Sequence, residues 1–111
     1  MKKKGLKRKI DKAFNKTIRD RGSCERCHKT ETLQAAHIFS RANMNIRWDY
    51  DNVLCLCAGC HFWAHKNPTL FGEWVVAHLG KERYNDLVEK ASKIRKWSLL
   101  EMQVFLETFN F

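Results

Sequence analysis

Four cysteines stand in two pairs of identical spacing, Cys24-Glu25-Arg26-Cys27 and Cys57-Ala58-Gly59-Cys60. Two CxxC pairs about thirty residues apart suit one tetrahedral zinc ion, each pair gripping the metal from a tight turn. A redox dithiol would normally stand alone, near a βαβ pattern that this chain lacks. Four thiolates fill the coordination sphere, so a zinc held this way is structural and staples one turn to the next. Cys55, in Val53-Leu54-Cys55-Leu56-Cys57, alternates onto the Cys57 face and could compete as a ligand, but it reads better as a small buried residue. His28 follows Cys27 directly and, with four cysteines present, is expected to be exposed. The odd fifth cysteine argues against a disulfide framework.

Short elements must carry these pairs, and apolar spacing supplies them. Leu6, Ile10, Ala13, Phe14, Thr17 and Ile18 repeat at helical intervals, predicting a helix over about 5–20 that ends near Gly22. Residues 23–31 form the first turn, 33–39 a strand, 40–51 a polar irregular connection, and 52–57 a second strand. A helix runs from Gly59 to about Lys66. Asn67 and Pro68 open a helix over 68–79 that Gly80 ends. Another covers 81–96 through Tyr84, Leu87, Val88, Ala91 and Ile94. Ser98-Leu99-Leu100-Glu101 is a capping box that opens a last helix to about Phe109. Trp63, Phe71, Trp74, Val75, Val76, Trp97, Phe105 and Phe109 read as core, Trp48 as packing over a small core, and His78 as structural.

Charge is concentrated at one end. Residues 1–21 hold ten basic side chains and two acids, Asp11 and Asp20, and so carry +8 of the net +9. A polyanion is the natural partner of such an arm, and nucleic acid is the default one. Lys7, Arg8 and Lys12 are the expected contacts there, with Arg41 and Arg47 in the connection between the strands. The segment has few large apolar residues with which to insert into a membrane surface.

His37 near the end of one strand, Asn52 at the start of the next, and His61 on the following helix fall in order. This order resembles the HNH nuclease family, whose unit is a β-hairpin plus a helix around one metal ion. Within that family the chain is most similar to the phage NinG/Rap recombination nucleases. The resemblance rests on Cys24–Cys27, Ala36-His37-Ile38-Phe39-Ser40-Arg41, Ile46-Arg47-Trp48-Asp49, Asp51-Asn52-Val53 and Cys57–Cys60, and covers roughly 23–108. It implies an α+β fold: a zinc-stapled ββα-metal core over 23–67, a basic N-terminal helix over 1–22 and C-terminal helices over 68–111, in one domain. It implies that His37 is a general base, that Asn52 fixes the hairpin and helps orient that base, and that His61 binds a catalytic metal. His65, one helical turn on, would complete an i,i+4 pair for Mg²⁺ or Mn²⁺. Many HNH proteins carry Asp or His just before the base, whereas this chain has Ala36, so metal binding leans on His61 and His65. Asp49 or Asp51 could substitute, though each reads equally as a turn former.

The implied activity is metal-dependent DNA cleavage, selective for branched DNA such as D-loops or Holliday junctions in phage recombination. Two rivals stay open: a less selective HNH nuclease for phage packaging or restriction, and a non-catalytic zinc-containing DNA-binding module. A homodimer is expected by analogy with junction resolvers, with the apolar C-terminal helices as its interface. Composition narrows the classes further. Hydrophobic content of 44% with one Pro excludes a disordered tail or a collagen-like repeat. No apolar run approaches the ~18 residues of a bilayer span. A cytoplasmic location, that of the host cell for a phage protein, is expected.

Overall fold

The chain opens with α1 (Lys3–Arg19), and the computed structural model describes residues 2–109. Leu6, Ile10, Phe14 and Ile18 recur every four residues and are the buried stripe of α1. Lys16 and Arg19 sit in its last turn, where cations favour the helix dipole. Gly22, at φ +91°, then turns the chain.

Strands β1 (Leu33–His37) and β2 (Val53–Cys57) pair antiparallel, with His37 opposite Val53 and Gln34 opposite Leu56. β2 is buried along its whole length because both of its faces are covered. Val53 and Cys55 join the α1 stripe, Trp48, Trp97 and Met102 in one core cluster. Leu54 and Leu56 join Ala36, Val75 and three of the paired cysteines in a second. Helix α2 (Ala58–Lys66) follows β2 at once, with the Cys57 sulfur capping its N-terminus. Then come α3 (Pro68–Leu79), α4 (Lys81–Ala91) and α5 (Leu99–Thr108). The result is a small mixed α+β arrangement, a two-stranded hairpin with five helices among the described residues. No helix among those residues is long and apolar enough to cross a membrane.

Several expectations shift. β1 stops at His37 rather than reaching residue 39, because the Asn52 side chain takes both backbone groups of Phe39. Asn52 itself lies in a 3₁₀ turn (Tyr50–Asn52) just before β2. α4 ends at Ala91, five residues short of the expected 96. There the Asn43 and Asn45 amides donate to the Ala91 and Lys90 carbonyls, satisfying the helix end from the loop. Ile94, counted in the helical repeat, is consequently 92% exposed. Val76 faces solvent instead of the core, and Met102 supplies the α5 core contact. The capping box at Ser98 and Glu101 forms in both directions.

Candidate functional site

The cysteines come together from the turn before β1 and from the β2–α2 junction. All four sulfurs lie within 4.8 Å of one another, with Cys27 and Cys57 Sγ 3.5 Å apart. Tetrahedral zinc with bonds of about 2.3 Å sets its sulfurs about 3.8 Å apart, so the donor set fits that ion. The two halves are built alike: Cys27 N–H donates to Cys24 Sγ, and Cys60 N–H to Cys57 Sγ, each at 3.4 Å. His28 completes the first turn in the left-handed region (φ 69°) and is exposed. Burial raises the Cys24 thiol, but backbone hydrogen bonding at Cys27, Cys57 and Arg26 outweighs it and brings the group down to about 6. Burial pushes the Cys60 thiol up to about 12, against a hydrogen bond from Arg26. Neighbouring thiolates repel one another, and a bound divalent cation favours the ionised form of all four.

Cys55 stays outside this group. The pleat alone sets Cys55 and Cys57 on one face, but the chain turns at Cys57 to start α2. The Cys57 sulfur therefore joins the cluster, while fully buried Cys55 packs on the α1 side.

A second constellation lies on the same hairpin and helix. His37, His61 and His65 line one cleft of about 570 Å³, together with Ala36, Ser40 and Arg41. The His37 Nε2 is 2.9 Å from the Arg47 carbonyl. A carbonyl can only accept, so Nε2 carries the hydrogen and the neutral ring keeps its lone pair at Nδ1. Burial pushes His37 below the ordinary imidazole value; the Arg41 and Arg47 charges act the same way, against the Arg47 carbonyl and Asp11. His61 Nδ1 lies 2.7 Å from Gln34 Oε1, so the amide oxygen accepts the ring hydrogen and leaves Nε2 free. Burial, then the neighbouring His65, lower the His61 value as well, favouring the neutral form that can bind a metal. The His61 and His65 rings lie 4.8 Å apart, as one helical turn requires.

Asn52, fully buried, shapes this cleft from behind. Its Oδ1 accepts from Phe39 N–H at 2.8 Å, and its Nδ2 donates to the Phe39 and Ile46 carbonyls at 3.1 Å. It thus clamps residues beside His37 and beside Arg47, whose carbonyl holds the His37 ring.

The arginines are engaged within the fold. Arg47, 13% exposed, binds Asp11 through Nε and Nη2. Arg41 reaches the same carboxylate at 2.8 Å but is 57% exposed and borders the cleft. On α1, Arg8 and Lys12 are exposed and Lys7 is half-buried. Asp49 and Asp51 are not part of the histidine cleft. Asp49 caps the 3₁₀ turn and pairs with Lys90, while Asp51 pairs with Arg83. Trp48 is buried against Trp97 and Phe105, as expected of a packing residue. His78 stacks on Trp74 and meets Glu25 at 2.9 Å.

With this geometry in view, the comparison with known families is decisive: the model for NinG, the bacteriophage lambda NinG protein, matches residues 1–110. The chain belongs to the NinG family. Membership implies a role in phage recombination. No curated protein and no solved structure matches the chain. The NinG match takes in α1 and the C-terminal helices as well as the hairpin, so Asp11 and Gln34 lie within the family's shared length. Both were missed in the sequence. Gln34 occurs in an unremarkable strand, and Asp11 reads as a stray acid in a basic helix.

Proposed function

We propose that the protein is a metal-dependent DNA endonuclease of HNH type that acts on branched DNA during phage recombination. One observation carries this reading: His37, held through Nε2 with Nδ1 unprotonated, shares a cleft with His65 and with His61, whose Nδ1 contact leaves Nε2 free. Phosphodiester hydrolysis is served by a base that is neutral near pH 7 and by a cation at the phosphate, which a histidine pair can hold.

In this mechanism His37 Nδ1 accepts a proton from water as the water oxygen forms its bond to phosphorus. The P–O bond to the leaving strand breaks, and that oxygen takes a proton from solvent. A divalent ion held by His61 and His65 would supply charge stabilisation at the phosphate and leaving oxygen. Asn52 keeps the loop that holds His37 in place. Arg41 at the cleft, with Lys7, Arg8 and Lys12 on α1, binds flanking phosphates. Arg47 serves the loop rather than the DNA. The four-cysteine centre holds structural zinc and takes no part in the chemistry.

Cleavage of labelled linear duplex, single strand and four-way junction, with EDTA, Mg²⁺ or Mn²⁺, tests this. The His37→Ala variant should stay folded and bind DNA while losing about 10²- to 10⁴-fold in cleavage. Metal-dependent cutting that favours the junction supports the full reading. Equal cutting of plain duplex keeps the chemistry and discards the branched substrate. Ala36, which adds no ligand to the cleft, favours one rival: a zinc-containing DNA-binding module. Tight binding without cutting in any metal would establish it.

A further inference from the structure

Asp11 is an acid on the buried side of a helix whose other charges are almost all basic. Its carboxylate takes four donors from the loop between the strands. Oδ1 accepts from Arg47 Nε at 3.1 Å and from Trp48 Nε1 at 2.8 Å. Oδ2 accepts from Arg47 Nη2 at 2.6 Å and from Arg41 Nη2 at 2.8 Å. All four acceptor sites of a carboxylate are thereby used. The Arg47 pairing is two-pronged, which fixes orientation as well as distance. Arg47 Nη1 also donates to the Arg41 carbonyl at 3.2 Å, tying both arginines into one unit.

Both ends of this unit arrive at the cleft. The Arg47 carbonyl accepts the His37 Nε2 hydrogen, and Arg41 lines the cleft itself. An ion pair serving stability alone would not need to end on the ring that chooses between two tautomers.

We infer that Asp11 is a positioning residue: through Arg47 it holds the carbonyl that fixes the His37 tautomer, and through Arg41 it sets a cation at the cleft. The basic helix then orders the reacting groups as well as binding DNA. This rests on the nuclease reading for its consequence in catalysis, but not for its structural content. The rival is that Asn52, clamping the neighbouring Ile46 carbonyl, suffices by itself.

The test is ¹⁵N–¹H imidazole NMR on the full zinc-loaded chain, comparing wild type, Asp11→Asn and Asp20→Asn. The last makes the same charge change on the same end of the chain, at a site whose partner is exposed Lys16. Wild type and Asp20→Asn should hold neutral His37 as the Nε2–H form. Asp11→Asn should populate both tautomers and, where wild type cleaves, reduce kcat about a hundredfold. An unchanged His37 tautomer in folded Asp11→Asn overturns the inference, as does an equal shift in Asp20→Asn. Should Asp11→Asn fail to fold, Arg47→Lys, which keeps the charge but loses the two-pronged contact, carries the same readout. A tautomer shift in Asp11→Asn beside a wild type that never cleaves would leave the positioning intact and remove the nuclease.

Discussion

The cysteine centre and the histidine cleft share one hairpin and one helix yet differ in every physical respect that matters for reactivity. The cysteine centre is closed: four like donors, three of them buried, lie within 4.8 Å of one another, enough to fill a zinc ion's four positions. The histidine cleft is open, with two candidate ligands and a separate candidate base around about 570 Å³ of space. A full coordination sphere holds structure, whereas an open one can admit substrate and water. Placing both on α2, with Cys60 and His61 adjacent, lets the first rigidify what the second requires.

The strongest way to break this contrast is to remove a thiol. Structural zinc contributes on the order of 10 kcal/mol, comparable to the whole stability of a small domain. Cys24→Ser should therefore unfold the hairpin, seen as lost circular dichroism and zinc content. A folded, zinc-free Cys24→Ser would show that the centre is not a staple.

Gln34→Ala should sharpen the contrast from the other side. The side chain is exposed, so fold and zinc content should not change. Loss of its bond to His61 Nδ1 should weaken Mn²⁺ binding at the histidine pair about 10- to 100-fold, by calorimetry. Undiminished affinity would mean that the pair needs no orienting partner.

The smallest expected effect is in pH dependence. Burial holds His37 below its ordinary 6.5, and a base works unprotonated. The acid limb of kcat/KM should therefore lie below 6.5, with zinc content followed in parallel to separate loss of the base from loss of the centre. The same shift has a consequence for stability. The folded chain releases this proton more readily than the unfolded chain, so His37 costs stability as pH falls below the unfolded value of 6.5. A limb centred above 6.5 would contradict the buried, carbonyl-held ring.

Much of the fold was legible because its signals are local. The α1 stripe repeats every four residues, the capping box spans four, and the Pro68 and Gly80 boundaries are set by single residues. The spacing of the CxxC pairs also announced the cysteine cluster. The end of α4 was not legible, because the asparagines that satisfy it lie 45 and 48 residues away. The ion pairs of the two arginines were not legible either. Two cations in a polar loop look like phosphate contacts until a carboxylate from α1 is found between them.

What the sequence alone determined, then, is the set of chemical groups and the elements that carry them: two thiol pairs, a histidine at the end of one strand and a pair on the following helix, and a basic amphipathic helix. Periodicity and short spacing encode these directly. Tertiary structure decided which nitrogen of His37 and of His61 is held, and by what. The Arg47 carbonyl lies 10 residues from His37, Gln34 lies 27 from His61, and Asp11 lies 36 from Arg47. The Gln34–His61 contact follows from the pairing of β1 with β2 and the turn into α2, whereas the Arg47 contacts depend on the irregular path of residues 38–52, which follows no repeat and is fixed instead by the buried side chain of Asn52 and the carboxylate of Asp11.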